Sequence, residues 1–152
     1  MIISKHISYK EATRSITAKR LGVDNTPSEE HVTNMQILAE KVFEPLRSHV
    51  GKPICINSMY RSGDLNKAIG GSKTSQHCKG QAMDVDDKYG HATNAEMFEF
   101  IKDNLSFDQL IWEFGTDNNP DWIHVSYVSE EENRNIMLKA YKNKGRTAYK
   151  KI

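Results

Sequence analysis

A chain of 152 residues, 38% hydrophobic and 27% charged, fits one soluble globular domain, α+β in class as read below, with enough length to bury a core without staples. No apolar run reaches the length of a membrane span, and the opening Met-Ile-Ile-Ser-Lys-His lacks the basic-then-apolar order of a secretory signal, so a cytoplasmic protein is expected. Cys55 and Cys78, with no CxxC pair, argue against both a disulfide framework and a structural thiolate metal site.

The elements follow in chain order. Ser8 to Glu11 fits a capping box and predicts a helix over about 9–20, stopped near Gly22. Thr26, Pro27 and Glu29 mark the start of a second helix, with Thr26 as its cap. Val32, Met35, Leu38, Ala39, Val42, Phe43 and Leu46 give that helix its apolar stripe, and Pro45 should kink or end it. Strands are predicted at 54–59, 82–86, 108–114 and 122–128, with short helices over 61–69 and 93–104. A fifth strand, 135–141, is expected at a sheet edge. Helices followed by mainly hairpin-connected strands predict an α+β domain spanning 1–152, its N-terminal helices packed on an antiparallel sheet.

The net charge of +1 is unevenly spread. Residues 133–152 hold Arg134, Lys139, Lys142, Lys144, Arg146, Lys150 and Lys151 and no acid. The plain expectation for this stretch is a solvated basic strand and a frayed end. Attraction to an anionic polymer is the sharper one. Its only aromatics are Tyr141 and Tyr149 and no nucleic-acid motif accompanies it, so no nucleic-acid partner is expected.

Chemistry concentrates in Ser75-Gln-His-Cys-Lys-Gly-Gln-Ala-Met-Asp84 and Asp121-Trp-Ile-His124. Alternation puts Met83 and Val85 on one strand face and Asp84 on the other. It likewise sets Ile123, Val125 and Tyr127 against Trp122, His124 and Ser126. His77 and Asp84 form a close pair, with Gly80 allowing a turn between them, and His124 arrives forty residues later. Two imidazoles and a carboxylate in that order suit a catalytic zinc site with one open position, and Asp121 is placed to serve as a base. Arg61, between a strand and a helix, is read as binding a substrate carbonyl, a terminal carboxylate, or a surface acid. Taken singly, each of these residues has an ordinary structural role to fill. His6, His31, His49 and His91 are assigned to that class.

The blocks Ser58–Asn66, Gly70–Asp84 and Asp121–Ser126 resemble the signature segments of the M15 zinc peptidases. That group includes D-alanyl-D-alanine carboxypeptidases and dipeptidases, and phage endolysins that cut between L-alanine and D-glutamate. Gly80 and Ala82 match the internal pattern, whereas Met59 stands where glycine is expected. The resemblance implies one Zn2+ held by His77, Asp84 and His124, Asp121 as general base, and Arg61 as stabiliser of the scissile carbonyl. It implies substrate contact at Ser75, and Trp122 and Ser126 are expected to join it from the face of His124. Gln76 receives no role. The implied substrate is the peptidoglycan stem peptide and the expected state a monomer without membrane attachment. The single-domain branch common in phages and prophages would reach the wall through a holin. A non-catalytic zinc module of the same fold is the alternative.

Overall fold

The computed structural model describes residues 1–152. Two short strands, β1 (Ile2–Ser4) and β2 (Ile7–Ser8), pair at the N-terminus. The single helix expected next is two, α1 (Tyr9–Thr13) and α2 (Ile16–Leu21). The break is chemical: Arg14 and Ser15 are extended, and Ser15 Oγ accepts from Ala18 N at 3.0 Å, so it caps a new helix. Gly22, at φ 68°, closes α2 as expected.

Helix α3 (Glu29–Leu38) starts later than expected, because Ser28 rather than Thr26 is its cap. Thr26 instead donates its N–H and hydroxyl to Asp24 Oδ1, and a residue before proline is held extended anyway. A π-helical turn over Ala39–Phe43 leads into α4 (Glu44–Val50). Pro45, in the first turn of α4, has no N–H to give the ladder, and the wider turn before it makes room for its ring.

The remaining elements are β3 (Cys55–Ser58), α5 (Gly63–Ala68), β4 (Ala82–Asp86), α6 (Asn94–Asn104), β5 (Gln109–Glu113), β6 (Trp122–Ser126), β7 (Ile136–Asn143) and β8 (Arg146–Lys151). Thr93 caps α6 with both bonds of a capping box, as the sequence indicated. The large sheet has the order β3-β4-β6-β5-β7-β8. It is mixed rather than antiparallel: β7 lies parallel to β5 while every other pair is antiparallel.

That parallel pair follows from the crossover between β6 and β7. Asp108, 2% exposed, accepts from Arg134 N, Nε and Nη2 at 2.9, 2.9 and 2.7 Å, fastening the crossover beside the start of β5. Asn135 N and Ile136 N then donate to the carbonyls of Phe107 and Asp108. The C-terminus is therefore not frayed, and β7 is an inner strand. Asn143 and Arg146 pair across a two-residue turn in which Lys144 and Gly145 both have positive φ, a geometry that matches strand twist. The edge is β8.

The sheet has two faces of different character. One carries Met83, Val85, Leu110, Trp112, Ile123 and Val125, all buried against the helical layer with Met35, Leu38, Val42, Phe43, Met97 and Ile101. Each such side chain contributes roughly 1.5–3 kcal/mol by leaving water. The other face holds the polar groups, with α2, α5 and the 3-10 turn of His77 at its border rather than a helical layer across it. No helix is long and apolar enough to cross a membrane.

Candidate metal centre and cleft

His77 lies on a 3-10 turn (Gln76–Lys79) that ends at Gly80. Gly80 has φ 73°, and a Cβ there would sit 2.4 Å from the His31 carbonyl oxygen, so only glycine permits the turn to pack against α3. The turn delivers the chain into β4, where Asp84 pairs directly with His124 of β6. Registered partners share a sheet face, which is why residues forty positions apart meet.

The donor atoms of His77, Asp84 and His124 all lie within 4.8 Å of one another. Asp84 Oδ1 is 3.4 Å from His77 Nε2 and 3.0 Å from His124 Nδ1. Tetrahedral zinc with nitrogen and oxygen ligands needs donors about 3.3 Å apart, so this set fits the ion. His77 Nδ1 is 2.7 Å from the Met59 carbonyl, an oxygen that can only accept. The proton therefore sits on Nδ1 and the lone pair of Nε2 faces the cluster, the usual outer support of a metal-binding imidazole. Burial pushes the Asp84 carboxyl up, but the two imidazoles outweigh it and hold the group well below the usual carboxylate range. It stays an anion, as a ligand must.

A cleft of about 780 Å³ opens over the triad. Arg61 and Ser75 line it, and Arg61 Nη2 donates to Ser75 Oγ at 3.3 Å. The arginine is fixed through its backbone: Arg61 N donates to the His77 carbonyl, and Asn25 bridges Tyr60 O and Ser62 N. Trp122 also lines the cleft, its ring tilted against Phe114 at 5.5 Å.

Two expected residues are placed elsewhere. Ser126 is fully buried, with its hydroxyl accepting from Gln109 N at 3.0 Å, so it supports strand pairing and meets no substrate. Asp121 is exposed, is absent from the cleft lining, and has no side-chain partner. Its backbone N–H donates to Glu113 O and its carbonyl accepts from Asn94.

The carboxylate that does line the cleft is Glu113, which sequence reasoning missed. It is 7% exposed and pairs in register with Trp122. Burial pushes it up to about 7, with the His124 imidazole lowering and the Asp84 charge raising it. The sequence held half of the signal: in Gln109-Leu-Ile-Trp-Glu113, alternation puts the one acid on the face of Ile111, and only the pairing of Ile111 with His124 makes that the site face. The far wall was missed as well. Leu138 from β7 and Thr147 and Tyr149 from β8 line the same cleft. Tyr149 is 54% exposed, and partial desolvation together with the Glu113 and Asp84 charges raises it above its ordinary value, so its hydroxyl is a donor at neutral pH.

A His-Asp-His cluster from one 3-10 turn and two paired strands, open to a cleft that holds an arginine and a buried acid, has the donor set of a metallohydrolase-type centre. The Peptidase M15 family model matches residues 5–126, and the chain belongs to that family of zinc metallopeptidases. No curated protein matches the chain.

Proposed function

We propose that this protein is a zinc peptidase that hydrolyses peptide bonds in peptidoglycan stem peptides. The observation that carries the reading is the convergence of His77, Asp84 and His124 in one cleft with Glu113 and Arg61. Family membership supports the peptidase class and favours a peptidoglycan-like substrate. His77 Nε2, Asp84 and His124 Nδ1 would hold the ion. Bound zinc supplies Lewis-acid chemistry, polarising a carbonyl and lowering the pKa of water.

The chain's own groups do the rest. Glu113 takes the proton of the attacking water on its carboxylate and returns it to the leaving amine, a task suited to a group that titrates near neutral pH. Arg61 presents guanidinium N–H donors to the carbonyl oxygen as negative charge grows on it. Asp121, the base implied by resemblance, is the competing assignment. It sits three residues before His124 but outside the cleft lining.

The test is mass spectrometry of peptidoglycan digested by zinc-loaded protein, with the Glu113→Gln and Asp121→Asn variants alongside. Shortened or released stem peptides from the parent establish the activity. Unchanged wall from several chemotypes, despite bound zinc, removes it in favour of a non-catalytic zinc module.

A further inference from the structure

The central cleft does not stand alone. A cavity of about 480 Å³ adjoins it across Arg61 and Asp84, which line both. This flank is partly apolar, with Ile16, Leu65 and Ile69 in its wall, and Ile16 and Ile69 are exposed to solvent. A second cavity, about 650 Å³, adjoins the cleft across Thr74, Gln76 and Arg134. This flank is polar, with His31, Asn34, Lys79, Gln81 and Glu132 in its wall. The metal-binding triad thus lies in the middle of three cavities that share walls.

An enzyme that removes a terminal residue must recognise the chain end, and a free carboxylate calls for a cation at a closed end of the site. Here the cations lining the central cleft are Arg61 and Arg134. Arg61 sits in the wall shared with the apolar flank, not at a closed end of the central cleft. Arg134 commits Nε and Nη2 to Asp108. Arg14, Lys88 and Lys79 line only the outer cavities.

The polar junction has its own chemistry. Gln76 Nε2 donates to Asp108 Oδ2 at 3.1 Å, so the same buried carboxylate fixes both Gln76 and Arg134. Gln76 keeps its Oε1 acceptor and Arg134 keeps its Nη1 donors. One acceptor beside one donor matches the N–H and C=O of a peptide unit.

We infer that the substrate is a peptide chain running through all three cavities and cut at an internal bond, with Gln76 and Arg134 holding a peptide unit away from the scissile one. This rests on the peptidase reading of the central cleft and makes the enzyme an endopeptidase.

Two measurements test it separately from that reading. The first gives zinc-loaded protein a free stem pentapeptide and the same peptide extended by residues at both ends, N-acylated and C-amidated, with the cut bond read by mass spectrometry. Cleavage of an internal bond is expected, with amidation tolerated and kcat/KM at least about tenfold higher for the extended peptide, since remote contacts are expressed in the transition state. Release of the C-terminal residue alone, abolished by amidation, overturns the inference and leaves the peptidase standing. The second maps amide chemical shifts in the zinc-loaded Glu113→Gln, Asp121→Asn double variant on adding the extended peptide. Shifts at Ile16 or Ile69 and also at Lys79 or Gln81 are expected. Shifts confined to the central cleft, or none, overturn the inference even if the parent cleaves nothing.

Discussion

The two halves of the large sheet are built differently. Strands β4, β6 and β5 carry Asp84, His124 and Glu113 on one face, where the 3-10 turn before β4 adds His77, and apolar core residues on the other. Strands β7 and β8 lie beyond the segment the family model matches and add Leu138, Thr147 and Tyr149 to the opposite wall of the cleft. The first half holds the groups proposed to do the chemistry. The second half is attached through one parallel pairing and the Asp108–Arg134 clamp, and on the proposed reading it shapes what reaches those groups. Reactive groups must be placed to within about an ångström, so a site gains from lying on or directly beside paired central strands, while a wall that contacts substrate can be appended at the edge.

The largest expected effect breaks the first half alone. His77→Ala should abolish stoichiometric zinc binding and reduce peptidase activity to background, with metal content read by inductively coupled plasma mass spectrometry. Retained zinc at full occupancy would remove His77 from the ligand set.

Next is the proton carrier. Glu113→Gln should keep zinc and lower kcat on the order of 10²–10⁴-fold, the usual range for a lost general base. Asp121→Asn should fall far less. The reverse order would return the role to Asp121.

The clamp joins the halves. Arg134→Met leaves the buried Asp108 carboxylate without its charged partner and should cost about 2 kcal/mol in urea unfolding at neutral pH, a figure reduced because the arginine is half exposed. The pH dependence has a definite sign. Arg134, by its hydrogen bonds, holds Asp108 below its ordinary value. The pair therefore contributes stability above the usual carboxylate range and loses it as pH falls through the lowered folded-state pKa. The difference between parent and variant should shrink in acid; a constant difference down to pH ~2 would show that the carboxylate is not the source.

Smaller effects belong to the second half. Tyr149→Phe removes one hydroxyl from the wall and should raise KM by roughly fivefold, equivalent to one hydrogen bond, with thermal unfolding unchanged. An unchanged KM would make the hairpin a passive wall. Lys139→Ala breaks an ion pair to Asp117, which is 91% exposed, and should change stability by less than about 0.5 kcal/mol. A larger loss would mean that the outer strands depend on surface charge as well as on the clamp.

The sequence by itself nominated His77, Asp84 and His124, because turn chemistry and alternation are local, while the register of β4 against β6 brought them together. A glycine turn after His77, period-two alternation around Asp84 and His124, and a cap at Thr93 all act within a few residues. The α+β class was legible for the same reason, from patterning and turn chemistry. Only the tertiary structure decided which residues from different strands share a wall. Glu113 is an ordinary acid at a strand end until β5 is seen pairing with the strand of His124. Arg134 and Tyr149 belong to a basic tail until Asp108 fastens the crossover and sets β7 parallel to β5. Register between distant strands is fixed by the burial of one whole face and by such clamps, neither of which any short window of sequence contains.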